Sequence, residues 1–385
     1  MLVNHTIRSR KEEERLRFLF SALACSPADD IIQSTMQHSA YRIIDANFNR
    51  CREALRVMED FCRFALNCKL LTQRAKTLRH QLSKTIEKLN TGKLISSRDV
   101  PGDVGINDSV KQFARNNLKD CATFAAKRAA EALRTLAETT QLLNSSVAKA
   151  MEELRYKVYT LEKDIILFTV EAERFKKVKL YVIISSELPT DVIRLTYQVV
   201  AGGADCIQLR AKAIPDDRLL AMATEFVQIC KDAGVISIIN DRVDIAALAG
   251  ADGVHLGQND LSVQQARKLQ LTPLIIGKST HSLKELRTAS AQLPTYVSIG
   301  PVFATKTKPT LKAVGLEYVK QAINELADTG IYSVAIGGIT PDNIEQVLTA
   351  GAQAVAVCSV VGQAADPATV TKQLKQKIDA FRQVG

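Results

Sequence analysis

The chain of 385 residues has room for two or three domains, and its 46% hydrophobic and 24% charged residues exclude a disordered, collagenous or coiled-coil chain. No stretch approaches the ~18 consecutive apolar residues of a membrane span, and the first twenty residues turn charged where a secretory leader would turn apolar. Eight cysteines without a CxxC pair suit neither a zinc site nor a disulfide framework, so a cytoplasmic protein is expected.

The net charge of +10 lies wholly in residues 1–179, with 32 Lys/Arg against 22 Asp/Glu; residues 180–385 carry 19 of each, and a boundary is expected near 179. With 5% aromatics, no Trp and no lysine-rich block, base stacking is poorly supported. A small phosphorylated ligand is the better use of the basic half, and a solvated helical surface the simpler one.

Before residue 180 apolar residues recur at helical spacing. Over 41–71, Ile44, Phe48, Leu55, Met58, Cys62 and Ala65 follow three-, four- and seven-residue steps. Further helices are predicted over 71–89, 109–143 and 146–177, the last with Leu154, Val158, Leu161 and Ile165. Gly and Pro gather in the loop SSRDVPGDVG at 96–105. Residues 1–40 read as an extension, a helix followed by a connector, and 41–178 as an all-α domain.

Within that domain Arg50-x-x-Glu53-Ala54-Leu55-Arg56, with Asp60 after it, is echoed 78 residues later by Arg128-x-x-Glu131-Ala132-Leu133-Arg134 with Glu138. Two related helical hairpins are expected. On a helix each Glu of the echo lies between two arginines at i,i+3. The simpler reading is a solvated salt-bridge ladder; the functional one is a set of guanidinium forks that grip phosphate while the acids orient them. No GxxxxGK[ST] loop occurs, which excludes a Walker-type nucleotide site.

From 180 onward short apolar runs alternate with helical patterns: 180–184, 206–209, 236–240, 253–256, 274–279, 296–300, 332–338 and 354–359. Helices are predicted between them, for example at 216–233, 283–292, 316–326 and 367–381. Eight near-continuously apolar strands, each followed by a helix in about 200 residues, predict a (β/α)8 TIM barrel over 179–385. The rival, an open doubly wound sheet, lacks a GxGxxG turn after the first strand.

A barrel places chemistry at the C-terminal ends of its strands, and polar residues gather there. Strand two ends in Gln208-Leu209-Arg210-Ala211-Lys212, strand three in Asn240-Asp241 and strand five in Lys278-Ser279-Thr280-His281. Gln258, Asn259 and Asp260 follow strand four, and Thr305-Lys306-Thr307-Lys308-Pro309 follow strand six. Strands seven and eight end in Gly337-Gly338 and Cys358-Ser359.

Alternation sends Gln208, Arg210 and Lys212 the same way, two cations and an amide suited to a polyphosphate. Asp241 and Asp260 supply carboxylate oxygens for Mg2+ held together with substrate phosphates; each alone also reads as a helix N-cap. Thr305, Thr307 and Lys308 lie in a loop suited to closing over ligand. Gly338 and Ser359 sit where barrels bind a phosphate through backbone N–H groups. His255 and His281 receive no catalytic role, since a lone His is more often structural. The inventory describes transfer of an electrophile from a diphosphate to a second phosphorylated substrate, with metal and cations stabilising the departing pyrophosphate.

In order and spacing, QLRAK, IINDRVDIA, ADGVHLGQNDL, GKSTHS, GPVFATKTKP, AIGGIT and VAVCSVV resemble thiamine-phosphate synthase across residues 180–385. That resemblance implies joining hydroxymethylpyrimidine diphosphate to thiazole phosphate, by a dissociative mechanism in which pyrophosphate leaves before the thiazole nitrogen attacks. It implies that Gln208, Arg210, Lys212 and Asn240 bind the pyrimidine diphosphate, with Leu209 and Ala211 alongside. Asp241 and Asp260 would hold Mg2+, and Ser279 and Lys308 would contact diphosphate, which makes Arg210, Lys212, Ser279 and Lys308 the catalytic set. Thr305, Lys306 and Thr307 would meet the thiazole, and Gly338, Cys358 and Ser359 its phosphate; Cys358 replaces the family's usual aliphatic residue.

The thiazole tautomerase shares the fold without needing a metal, and the Gln208/Arg210/Lys212 cluster and the Asp pair favour the synthase. Around RIIDANFNRCREALRVMEDFCRF, RDVPGDVG and AAKRAAEALRTLAE, residues 41–165 are similar to a helical domain fused to this synthase that phosphorylates hydroxymethylpyrimidine phosphate. ATP would then be a co-substrate, and Asn47, Arg50, Arg56, Arg98, Asp99, Arg128 and Arg134 are the candidate residues; the alternative is a non-catalytic dimerisation or docking module. The expected partners are small phosphorylated substrates, with neither nucleic acid nor membrane, and self-association is left open.

Overall fold

No Gly or Pro falls between residues 28 and 60, a run that a helix can follow unbroken. In the computed structural model, which describes residues 27–104, 114–269, 272–305 and 312–384, helix α1 accordingly runs Pro27–Asp60 without a break. Residues 27–40 are therefore helical in place of the connector expected before 41, and no Gly or further Pro interrupts them; residues 1–26 lie outside the described residues. One π-helical turn, Phe61–Ala65, ends α1 where a longer helix was expected, and leaves Ala65 exposed rather than on the buried stripe.

Helices α2 (Lys69–Ile86), α3 (Thr91–Ser96), α4 (Leu118–Thr140) and α5 (Ser145–Phe175) follow. Asn90 and Asn117 cap α3 and α4 by accepting the backbone N–H groups of Lys93 and Asp120. Ile44, Leu55 and Met58 of α1 are fully buried, as are Ala125, Ala129, Leu133 and Leu136 of α4. Small alanines on α4 let the two helices pack closely along their lengths.

The chain divides into two compact units, Met1–Phe61 with Gln73–Glu162, and Cys62–Thr72 with Lys163–Gly385. The barrel unit thus begins upstream of the charge boundary at 179. Glu171, inaccessible to solvent, forks onto Arg267 (2.7 and 3.0 Å) and accepts from Thr295 Oγ1 (2.7 Å). Phe175 closes the floor of the barrel by stacking on Tyr296 with ring centroids 4.3 Å apart.

Eight parallel strands form the closed barrel: β1 Leu180–Ser185, β2 Cys206–Arg210, β3 Ile236–Asn240, β4 Gly253–Leu256, β5 Ile275–Thr280, β6 Tyr296–Ile299, β7 Tyr332–Ile336 and β8 Ala354–Val357. Each pairs with its sequence neighbours, and β1 with β8. Strand ends depart from the sequence reading by at most two residues. The interior is filled by Tyr181, Ile183, Cys206, Ile238, Ile275, Tyr296, Val334, Ala354 and Ala356. Residues of the same parity further along each strand (Gln208, Arg210, Asn240, His255, Ser279 and Cys358) therefore face the lumen toward its C-terminal mouth. Among the described residues no helix is long and apolar enough to cross a membrane.

Candidate active site

At the C-terminal mouth, Asp241 and Asp260 meet. Asp241 follows β3 with φ of 64°, a left-handed conformation that Asp tolerates better than most residues. Its N–H is held by the carbonyl of His255 (2.8 Å), and its side chain hydrogen-bonds the carboxyl of Asp260 and lies 3.1 Å from Lys212 Nζ. Neither acid is a helix cap. Arg242 occupies the N-cap position of the next helix, and Asp260 accepts backward from Gly257 N–H at 2.6 Å.

Two half-buried carboxyls in contact cannot both ionise cheaply. Burial, and then the neighbouring Asp260, raise the pKa of Asp241 against the pull of Lys212. Burial also works against ionised Asp260, but its hydrogen bonds with Asp241 and Gly257 and the nearby Lys212 and Lys278 outweigh that and hold its pKa low. Such a pair has negative charge to give to a divalent cation. Among the described residues no group of three or more His, Cys, Asp or Glu is placed to hold a metal ion. Two carboxylates with oxygens left to phosphate and water is the donor set that suits Mg2+, which rarely takes an all-protein cage.

Arg210 comes from β2 and donates through Nη1 to Ser185 Oγ (3.0 Å), so of the expected trio Lys212 alone touches the acids. Gln208 is buried one layer deeper, where its Nε2 donates to Tyr181 Oη (3.1 Å). Leu209 faces the helical layer, Ala211 is half-buried beyond the strand, and Asn240 is half-buried at the tip of β3. Ser279 is buried on β5, with His255 Nε2 at 2.9 Å from its Oγ and Gln258 Nε2 donating to its carbonyl.

Gly338, with φ of 64°, lies under the loop after β6: a Cβ there would stand 2.6 Å from the Ala304 carbonyl and 2.8 Å from Phe303 Cβ. Cys358 and Ser359 are half-buried where β8 turns into the one-turn helix Ser359–Gly362. Thr305 is half-buried, and Lys306, Thr307 and Lys308 lie outside the described residues. A cavity of about 490 Å³ is remote from all of these, at the N-terminal end of β7 beside Lys176, Tyr332 and Gln353.

In the helical unit the candidates separate. Arg98 forks onto buried Asp45 (both contacts 2.7 Å), and Asn49 Nδ2 reaches the same carboxylate (3.3 Å). Arg42 donates to the carbonyl of Asp99 (3.3 Å), whose carboxylate accepts from Gly102 N–H (2.9 Å). Asn47 is buried nearby on α1, with Nδ2 turned to the carbonyl of Ile43. The echoed motif keeps only its i,i+4 pairs, Arg56–Asp60 at 3.2 Å and Arg134–Glu138 at 2.7 Å. Arg50, Glu53, Arg128 and Glu131 are exposed and make no ion pair among the described residues, so neither carboxylate lies between two guanidinium groups as the spacing predicted.

A chain from Nostoc punctiforme described as thiamine-phosphate synthase is 36% identical over 348 residues, which cover 90% of this chain and 96% of that one. The chain belongs to the thiamine-phosphate synthase family. A thiamine-phosphate synthase from Rhodopirellula baltica is 36% identical over 325 residues, covering 82% of this chain and 86% of its own. The model of the family described as thiamine monophosphate synthase matches residues 180–361, and that of the ThiD2 family residues 42–164. Among solved structures, thiamine phosphate pyrophosphorylase from Pyrococcus furiosus is 32% identical with a TM-score of 0.50, covering 54% of this chain and 98% of its own. The barrel is a thiamine-phosphate synthase domain, and the helical unit is a ThiD2 domain fused before it.

Sequence reasoning gave no role to three groups around this synthase site. Lys278 is buried facing away from the lumen and donates to the carbonyls of Gly257 (2.6 Å) and Leu261 (3.4 Å), pinning the turn that carries Asp260; burial lowers its pKa. A lysine of outward parity in an apolar strand was the available signal. Tyr181 and Tyr296 lie within the apolar runs of β1 and β6, and their hydroxyls meet at 2.9 Å in the barrel interior. In the ThiD2 domain Asp45 was the omission, a carboxylate on the buried stripe of α1 beside Ile44.

Proposed function

We propose that the barrel condenses hydroxymethylpyrimidine diphosphate with thiazole phosphate by a dissociative, Mg2+-dependent route. The observation that carries this is the contact of Asp241 with Asp260 beside Lys212. When bound there, Mg2+ would neutralise charge on the diphosphate as it departs. Asp241 and Asp260 hold the ion, while Arg210, Lys212, Ser279 and Lys308 hold the diphosphate oxygens; Gln208 and Asn240 orient the pyrimidine. The methylene C–O bond breaks with its electron pair going to pyrophosphate. The lone pair of the thiazole nitrogen then forms the new C–N bond, with the thiazole phosphate seated by Gly338, Cys358 and Ser359 beside Thr305, Lys306 and Thr307.

Asp241→Asn tests this on the full chain. Thiamine phosphate formation should fall by on the order of 10²–10³, with Mg2+ activation lost and the melting temperature unchanged. Normal turnover by a folded variant would sink the metal assignment.

The ThiD2 domain, on our proposal, phosphorylates hydroxymethylpyrimidine phosphate with ATP and so supplies the barrel's diphosphate substrate. The Asp45–Arg98 fork beside Arg42 and Asp99 supports this reading, since a buried acid orients a guanidinium whose remaining donors face solvent. The full chain incubated with ATP and the pyrimidine monophosphate should release ADP and the diphosphate. Absence of both would favour a docking module.

A further inference from the structure

Five polar side chains from five strands form an unbroken hydrogen-bonded line through the barrel interior. Gln208 Nε2 donates to Tyr181 Oη (3.1 Å), and Tyr181 Oη lies 2.9 Å from Tyr296 Oη. Tyr296 Oη lies 3.0 Å from His255 Nδ1, and His255 Nε2 lies 2.9 Å from Ser279 Oγ. Crossing from β6 to β4 requires passing over β5, and there the chain has Gly277. A Cβ on Gly277 would collide with the phenol of Tyr296 and stand 2.6 Å from His255 Nδ1. The glycine thus opens the gap through which tyrosine and histidine meet.

Proton counting gives the line a direction. Each phenol has one proton, and burial holds both tyrosines well above their ordinary pKa, so both remain neutral. With Gln208 donating to Tyr181, the Tyr181 proton has two outlets, the oxygen of Tyr296 or the sulfur of neighbouring Cys206. A phenol oxygen is the better acceptor. The Tyr296 proton then goes to His255 Nδ1, which fixes the neutral imidazole with its proton on Nε2, and that N–H is given to Ser279 Oγ. Ser279 Oγ makes no other hydrogen bond among the described residues, so its own O–H remains to donate into the mouth. In the reverse polarity Ser279 would present lone pairs, which repel a phosphate.

We infer that His255 is a positioning residue which, set by Gln208, Tyr181 and Tyr296, keeps the Ser279 hydroxyl as a hydrogen-bond donor toward the diphosphate. The inference rests on the proposed contact of Ser279 with diphosphate. It adds that the serine's polarity is imposed from the barrel floor upward.

Nitrogen-15 NMR of the histidine-labelled full chain reads the relay directly, with the His255 signal assigned by its loss in His255→Gln. The expected spectrum shows a protonated Nε2 and an unprotonated Nδ1; protonation on Nδ1 overturns the inference. Calorimetry with inorganic pyrophosphate and Mg2+ reads the consequence. Tyr296→Phe and Ser279→Ala should each weaken binding about tenfold, the scale of one hydrogen bond to a charged group, and the double variant no further. Weakening by Ser279→Ala but not by a folded Tyr296→Phe overturns the relay and spares the diphosphate reading. Unchanged binding by Ser279→Ala overturns that reading and the inference with it, whatever the tautomer.

Discussion

The two units place charge in opposite ways. At the barrel mouth each polar side chain arrives from a different strand, and the pairs that meet are far apart in sequence: Lys212 with Asp241, His255 with Ser279, Gln258 with Ser279. The backbone sets these meetings, and it sets one that is unfavourable by itself, two carboxyls in contact. On the helices the echoed motif makes local pairs, Arg56 with Asp60 and Arg134 with Glu138, and both partners are largely exposed. Local exposed pairs contribute little to stability, whereas an unbalanced pair held by a rigid rim is a site awaiting a ligand. Two helical pairs depart from this, because each acid is buried and its partner is distant in sequence: Glu59 with Arg79, 20 residues away, and Asp45 with Arg98, 53 residues away.

The Asp45–Arg98 pair gives the sharpest way to break the comparison. Arg98→Ala should lower formation of the pyrimidine diphosphate by on the order of 10², the scale of losing one charged donor to phosphate. Arg134→Ala, drawn from the exposed ladder, should leave it within about twofold, since such pairs are worth less than about 1 kcal/mol. Equal losses in the two variants would mean that burial and sequence distance do not mark the site.

A second experiment probes how rigidly the barrel holds its polar line. Gly277→Ala drives a methyl group into Tyr296, and overpacking of this kind costs about 1–3 kcal/mol. Thermal unfolding of the barrel should shift down accordingly, with synthase activity falling more steeply than stability. A matched change at Gly250, where a Cβ meets nothing within 4 Å, costs only the strain of its positive φ. A Gly277→Ala variant as stable and active as the parent would show that the interior yields.

These contrasts also explain what could be read from the chain. The strands were legible because parallel strands buried on both faces are short apolar runs, and a polar residue at the end of such a run has nowhere to go but the mouth. Asp241 and Asp260 stood out for that reason. Their mutual contact did not, because it depends on the left-handed backbone at Asp241 and on the turn that Lys278 pins. Tyr181 and Tyr296 were hidden by their own apolarity: a tyrosine in a strand reads as packing until its hydroxyl finds a partner. The continuity of α1 across residues 28–60 was legible and overlooked. The emptiness between Arg50, Glu53 and Arg56 was not, since i,i+3 spacing permits a pair without requiring one.

The smallest effect concerns the thiols, where burial again divides the two units unevenly. Burial pushes Cys51 on α1 and Cys230 in the barrel up to about 12 and also raises Cys206, while Cys121 and Cys358 are only half-buried. At pH 8 a thiol with a pKa near 12 is thiolate in roughly one molecule in 10⁴. Iodoacetamide should therefore modify Cys121 and Cys358 ahead of the other cysteines among the described residues, as mass spectrometry of peptides will report. Modification of Cys358, at the head of β8, should slow thiamine phosphate formation several-fold, and thiazole phosphate should protect it; the loss should persist in Cys121→Ser, whose remaining half-buried thiol is at the mouth. Full activity after complete Cys358 labelling would remove that position from the phosphate end of the site, and early labelling of Cys51 or Cys230 would mean that these helices open to solvent far more often than their packing implies.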